Sequence, residues 1–280
     1  MKDALGERMK EQYEHRTRYL LPRRTYTVIR LDGKAFHTFT RNFNKPFDKH
    51  LMEIMQQTTI SLCQEIQGTV LGYTQSDEIS LLLTDFASPQ TNAWYDGNVQ
   101  KIVSISASIA TLSFNNEVRK LTFKGDTGGE LRKFFTKEYQ HKTAFFDSRV
   151  FTIPDPTEIE NYFIWRQQDC VRNSVQMAAQ ALYSQKELHG KNGSQLQEMM
   201  FQKGVNWNDY SASEKRGTAV IKEEYTVFNT NKTLVEQGPQ AIRHRWVTCA
   251  ETPSFTANRE FLRSLIPRYE NGIHSETSED

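Results

Sequence analysis

Between Thr25 and Leu31 the chain reads Thr-Tyr-Thr-Val-Ile-Arg-Leu, β-branched and apolar, and stops at Asp32-Gly33. Such side chains suit a pleated, half-buried surface, so the run predicts a core strand over about 25–32. After the loop at 40–47, Asp48 has the character of a helix N-cap. Leu51, Met55, Thr58, Leu62 and Ile66 then recur at helical spacing as far as Gly68, a suitable C-terminal stop. Thr69–Thr74 and Ile79–Thr84 are short strand candidates on either side of Asp77, and residues 87–92 are turn-like. Val99, Ile102, Val103, Ile109 and Ala110 share a face of a second helix. Gly125-Asp-Thr-Gly-Gly129 reads as a loop, and residues 144–154 as another strand. The order strand, helix, strand, strand, helix, strand predicts an α+β, ferredoxin-like sheet. In that sheet the first strand lies beside the central hairpin, which makes neighbours of Asp32 and Asp77.

The remainder is mainly helical. Residues 3–15 predict a charged surface helix, and 157–183 a long helix carrying Ile159, Phe163, Trp165, Val171, Val175 and Leu182. His189–Gly193 breaks it, and a short helix follows from Ser194. Residues 216–221 and 225–228 read as a hairpin. This divides the chain into a catalytic part (1–135), a C-terminal part completing the sheet (136–272) and a polar, acidic, disordered tail (273–280).

Composition narrows the class only slightly. A net charge of +1 with 25% charged and 37% hydrophobic residues suits a globular enzyme and confines any nucleic-acid attraction to local patches. One such patch is Arg16, Arg18, Arg23 and Arg24, for which a solvated, basic linker is the first reading. Three dispersed cysteines (Cys63, Cys170, Cys249) form no Cys-x-x-Cys pair, so neither a zinc site nor a disulfide framework is expected. No apolar run approaches the roughly 20 residues of a membrane span. The N-terminus lacks a signal-peptide core, so a cytoplasmic protein is expected.

The candidate chemistry lies at the strand ends. Asp-Gly after a core strand, or Ser-Asp-Glu between two strands, is by itself an ordinary turn. On adjoining strands, Asp32 and Asp77, with Glu78 beside them, supply the hard oxygen ligands that a pair of Mg²⁺ ions requires. Lys34 and Lys45 are candidate partners for triphosphate oxygens, and Gln75-Ser76 for a phosphate or ribose, Ser76 being also a plain turn residue. Phe36, Phe39 and Phe43 read as core, with Phe36 or His37 a candidate stacking surface. In 162–173, Arg166, Asp169, Arg172 and Asn173 are candidate phosphate or tRNA contacts, or else a salt-bridged helix face; Arg30 and Arg216 join the candidates.

Taken together, Arg30–Phe39, Asn44–Asp48, Gly72–Glu78, Trp165–Cys170 and Arg216–Val220 resemble the tRNA-histidine guanylyltransferase family, over roughly 5–230 and in the same order. The resemblance implies a polymerase-like palm that adds nucleotides to a tRNA 5′ end in the 3′-to-5′ direction, after ATP activation of a 5′-monophosphate. It implies two Mg²⁺ held by Asp32, the Gly33 carbonyl and Asp77, catalysis by Asp32, Asp77 and Glu78, and nucleotide binding by Asp32, Gly33, Lys34, Ala35, Phe36, His37, Lys45, Ser76 and Asp77. ATP, GTP or other triphosphates are the implied substrates, tRNA the partner, and a homotetramer, a dimer of dimers, the assembly. Histidine-tRNA enzymes carry His-Ile-Asn-Asn-Leu-Tyr after Asp-Cys; this chain has Val171-Arg-Asn-Ser-Val-Gln176 and retains only Asn173. That departure resembles the guanylyltransferase-like subgroup and implies templated repair of 5′-truncated tRNAs. Non-templated G addition to histidine tRNA is the alternative, followed by a nucleotide cyclase and a non-catalytic RNA-binding module.

Overall fold

The strand that ends at Asp32 lies inside a six-stranded sheet, flanked on both sides. The computed structural model describes residues 3–41, 43–123, 142–227 and 241–269. Its strands are β1 (Tyr26–Gly33), β2 (Thr69–Gln75), β3 (Glu78–Leu83), β4 (Phe146–Ile153), β5 (Thr218–Val227) and β6 (Ala241–Cys249), in the order β4-β1-β3-β2-β5-β6. Every neighbouring pair is antiparallel. The helices are α1 (Ala4–Met9), α2 (Phe36–Phe39), α3 (Lys49–Glu65), α4 (Val99–Phe123), α5 (Pro156–Gln180), α6 (Gln185–Leu188), α7 (Gly193–Gln202), α8 (Ala212–Arg216) and α9 (Arg259–Leu265). With α3 joining β1 to β2 and α4 preceding β4, the first four strands form the expected ferredoxin-like unit. The loop expected at 125–129 and the tail from Gly272 lie outside the described residues.

Helix starts follow their caps. Asp48 Oδ1 accepts the Leu51 amide at 3.0 Å, as expected, while its Oδ2 accepts the Asn44 amide at 3.0 Å. Asp155 caps α5 by accepting the amides of Thr157 and Glu158, with Pro156 in the first turn. The N-terminal stretch is helical and buries nothing.

Period-2 alternation assigns the two faces of the sheet. Ile29, Leu31, Ile79, Leu81 and Val150 pack against α3 and α4 with Met55, Leu62 and Phe114. Val28, Tyr73, Leu82 and Phe151 pack with Ile159 and Phe163 of α5 and Leu262 of α9. In the arginine cluster before β1, Arg23 Nε meets buried Asp85 at 2.7 Å, and Arg18 and Arg23 approach exposed Asp96 at 3.8 and 3.7 Å.

The expected hairpin over 216–228 is a single strand instead. The intervening Lys222-Glu223-Glu224 does not turn, because each residue has a cross-strand partner on β6. Glu223 pairs with Arg245 at 2.8 Å and Glu224 meets His244 at 3.1 Å. Phe228 lies outside the described residues.

Phe36, Phe39, Phe114 and Phe146 form an aromatic cluster under the β1–α2 loop, with Phe36 centroids 5.2 Å from both Phe114 and Phe146. The Phe36 ring is 4% exposed, so it is core, as one reading of the sequence had it, and cannot stack on a base. Phe114→Ala is expected to cost about 3–5 kcal/mol in urea unfolding, the usual loss for a truncated core phenylalanine. Because Phe114 carries Phe36, the variant should also raise proteolytic cleavage within 33–40.

Candidate active site

Strand register brings the acidic groups together. Asp32 lies opposite Glu78 on β3 and Asp147 on β4. The β2–β3 connection is the two-residue turn Ser76-Asp77, with Ser76 in the left-handed region at φ 48°. The Gly33 amide donates to the Asp77 carbonyl at 3.1 Å, tying the end of β1 to that turn. Ser76 Oγ donates to Asp77 Oδ1 at 3.1 Å.

The loop after Asp32 depends on Gly33 for space. A Cβ there would lie 2.2–2.6 Å from atoms of the Phe36 ring, so that ring can close over the loop only when residue 33 lacks a side chain. Ala35 is left-handed (φ 54°), and the Lys34 amide donates to the Phe145 carbonyl at 2.8 Å. The side chains of Lys34, Ala35, His37 and Lys45 are exposed.

Burial, and then the charge of Asp32, pushes the Asp77 carboxyl up to about 6. Asp32 is likewise raised, first by burial and then by Asp147, with Arg149, Arg30 and Arg166 opposing. Two partly desolvated carboxylates that repel one another form a site that favours added positive charge. Among the described residues no three His, Cys, Asp or Glu side chains gather as a self-sufficient metal site. Mg²⁺ is commonly held by one or two carboxylates with substrate phosphates completing its shell, and Asp32, Asp77 and the Gly33 carbonyl fit that donor set.

Glu78 has a different environment from the two aspartates. Its carboxylate accepts from Arg166 Nη1 at 2.7 Å, with Gln75 Nε2 at 3.4 Å. Arg166, expected on a phosphate, is buried; it also reaches Asp169 at 3.4 Å and lies 3.7 Å from the Trp165 ring centroid. Asp169 in turn pairs with Arg172 at 2.7 Å. The ladder Glu78–Arg166–Asp169–Arg172 therefore follows the salt-bridged alternative, although its first pair is buried rather than surface. Asn173 is exposed on α5, while Arg216 is spent on the Thr252 carbonyl, its Nε donating at 3.2 Å.

Three residues at the site went unread in the sequence: Asp147, Arg149 and the exposed face of Trp165. The alternation Phe-Asp-Ser-Arg-Val in β4 was the available signal, since it places Asp147 and Arg149 on the face of Asp32 and Arg30.

The family model described as "Thg1: tRNAHis guanylyltransferase" matches residues 6–154. The chain belongs to the tRNA-histidine guanylyltransferase family. Members are nucleotidyltransferases, and this chain is one. It is 29% identical over 231 residues to the tRNA(His) guanylyltransferase of Debaryomyces hansenii, covering 77% of this chain and 80% of that one. The uncharacterized protein R259 of Acanthamoeba polyphaga mimivirus is 29% identical over 247 residues, with 83% and 82% coverage. Among solved structures, a bacterial tRNA(His) guanylyltransferase-like protein in complex with ATP superposes with a TM-score of 0.78 at 38% identity, covering 94% of this chain and 99% of that one. A GTP complex described in the same terms gives 0.74 at 37% identity, covering 95% and 100%.

Two outcomes follow from this geometry. Arg166→Ala leaves the partly buried Glu78 carboxylate with only Gln75 Nε2 at 3.4 Å, so it should destabilise the guanylyltransferase relative by about 3 kcal/mol in urea, the low end of the loss for a broken buried pair. The Arg166→Met/Glu78→Gln pair should recover most of that loss. The second outcome concerns pH in EDTA. The native Asp77 carboxyl holds its proton up to about 6, whereas its ordinary value is 3.8. The native state binds the extra proton in that window, so this contribution to stability falls as pH rises through it. Unfolding curves of Asp77→Asn should lack that fall.

Proposed function

We propose that this guanylyltransferase relative adds nucleotides to the 5′ end of tRNA in the 3′-to-5′ direction, choosing each by pairing with the opposite strand. The observation that carries the reading is the meeting of Asp32 and Asp77 at one end of the sheet, with the Gly33 amide bonded to the Asp77 carbonyl.

Each group has a role in this reading. Asp32, Asp77 and the Gly33 carbonyl hold Mg²⁺, which supplies charge stabilisation at the attacking and leaving oxygens. The loop 33–37 receives the nucleotide, Lys34 and Lys45 act as point charges toward its triphosphate, and Ser76 holds Asp77 in place. Glu78 serves as a positioning residue, since Arg166 already occupies its carboxylate. Phosphoryl transfer of this kind needs alignment and charge stabilisation rather than an enzyme nucleophile. The 1–135 part carries the chemistry, and exposed Arg172 and Asn173 of the 136–272 part face tRNA. A cytoplasmic homotetramer is the assembly that goes with this reading.

Templated repair is favoured over fixed G addition by the segment 171–176. Its buried members are spent on packing: Ser174 Oγ accepts from Trp207 Nε1 at 3.0 Å, and Val175 lies with Leu188, Leu196 and Met200. Its exposed members, Arg172, Asn173 and Gln176, keep only Asn173 of the pattern that accompanies histidine-tRNA recognition.

The test uses a tRNA transcript lacking its first nucleotide and bearing a 5′-triphosphate, incubated with Mg²⁺ and each nucleotide singly. Extension only by the complementary nucleotide, reduced at least about a thousandfold in Asp77→Ala, is the expected result. Addition of G whatever the opposing base would replace templated repair with the histidine-tRNA reading. Conversion of triphosphate alone to a cyclic product would overturn both.

A further inference from the structure

The N-terminal stretch is helical from Ala4 to Thr17, as α1, a π turn over Lys10–Glu14 and a 3₁₀ turn over His15–Thr17. None of its side chains is buried. Leu5, Met9 and Tyr13 recur every four residues and so share a face, and they are 59%, 48% and 63% exposed. Asp3, Glu7 and Glu11 repeat at the same spacing on the opposite side. An isolated helix of this length is marginal in water, and helices in proteins owe most of their stability to the packing of an apolar face. Within its own chain this stripe is left open to solvent.

A second apolar surface is left open at α4. From Ile102 to Asn116 the sequence has no charged residue, although Ser104, Ile105, Ser108 and Leu112 are exposed, where a solvated helix face ordinarily carries charge. Between this helix and the start of β4 lies a groove of about 490 Å³, lined by Ala107, Thr111, Leu112 and Phe145, with Arg119 its one charged member among the described residues. Leu112 and Phe145 are 62% and 55% exposed. The groove adjoins the site, since the Phe145 carbonyl accepts the Lys34 amide at 2.8 Å. The N-terminal arm is rooted at the start of the same helix: the Val99 amide donates to the Tyr19 carbonyl at 3.0 Å and the Leu21 amide to the Gly97 carbonyl at 2.9 Å. At 1.5 Å per residue the arm spans about 21 Å, and the distance along α4 from Val99 to Leu112 is about 20 Å, so the arm has the length of the surface it would cover.

We infer that the N-terminal helix is an exchange arm that docks, through Leu5, Met9 and Tyr13, in the α4–β4 groove of a second copy of this chain. Each chain offers one arm and one groove and leaves both open, so a two-fold contact covers the two surfaces at once and closes on itself. The acidic residues stay on the outer side of the docked arm, and no carboxylate is taken out of water. Phe145 carries the contact to the loop 33–37, so the docked arm of one chain braces the nucleotide loop of the other. That brace rests on the proposed function, and the place of the contact within a larger assembly rests on the homotetramer reading; the arm exchange itself rests on neither.

Mass in solution is followed by light scattering across protein concentration. The proteins are the parent, Met9→Asp, Tyr13→Asp, Leu112→Asp and, as a control for an exposed apolar side chain elsewhere, Phe201→Asp on α7. All four positions are exposed, so circular dichroism should show every variant folded. The parent is expected to associate, and the arm and groove variants to need at least about tenfold more protein to do so, with Phe201→Asp unchanged. Mixing Met9→Asp with Leu112→Asp should restore part of the association, because that pair keeps one intact arm and groove. The Lys34 amide should exchange its hydrogen faster in Met9→Asp than in the parent; equal exchange would overturn the brace and keep the arm. A monomeric parent would overturn both the exchange and the homotetramer. A parent tetramer that Met9→Asp and Tyr13→Asp leave intact would overturn the arm alone. Dissociation by Leu112→Asp only, with no recovery on mixing, would overturn the arm and give the groove to a direct contact between α4 helices. None of these readouts needs nucleotide addition, so the result stands whether or not the chain extends tRNA.

Discussion

The site depends on holding two carboxylates close together in surroundings that would rather protonate one of them. Asp32 and Asp77 are each desolvated, and the charge of Asp32 adds to the cost of charging Asp77. The Gly33 amide bonded to the Asp77 carbonyl fixes their approach from the backbone, so repulsion between the side chains cannot relax by moving the turn. The strand pairing on both sides of β1 supplies the stiffness behind that bond. What results is a persistent local excess of negative charge, which a divalent cation and the phosphates it carries can satisfy.

That constraint explains why neighbouring acidic groups are treated differently. Glu78 is next to Asp77 in sequence and opposite Asp32 in register, yet it does not add freely to the negative charge. Arg166 reaches it from α5 and neutralises it. A third uncompensated carboxylate would raise the protonation of all three and weaken the site at neutral pH. The pairing also joins α5 to the β2–β3 turn, so the helix that bears Trp165, Arg172 and Asn173 is registered against the chemical centre. The buried Arg166 Nε lacks a partner, a local cost retained within an otherwise satisfied ion pair.

Much of this was legible in the sequence because the local signals agreed with the global ones. The apolar run before Asp32, the Asp48 cap, the helical spacing to Gly68 and the strand pair around Asp77 are short-range features, and together they imply the 4-1-3-2 strand order. That order alone predicts the adjacency of Asp32 and Asp77. The ribbon of β5 and β6 was misread for the opposite reason. Its Lys222-Glu223-Glu224 run looks like a turn locally and is explained only by residues about 20 positions away. For a similar reason the sequence left Arg166 between a phosphate contact and a salt bridge: a helix sequence does not say which arginine faces inward, and its partner, Glu78, lies 88 residues distant.

The same reasoning applies to the open end of the α5 face. Side chains on a strand are set by alternation, so placing Asp147 beside Asp32 also places Arg149 beside Arg30. A sheet could avoid the second pairing by substituting either arginine, and nothing in the packing requires both, since Arg149 is exposed and Arg30 has no ion-pair partner among the described residues. Two rows of opposite sign lie side by side: a carboxylate row, then a guanidinium row. Adjacent rows are two residues apart along a strand, or about 7 Å. Strand geometry by itself therefore sets the distance between the two kinds of charge, and α5 decides which part of that strip stays open.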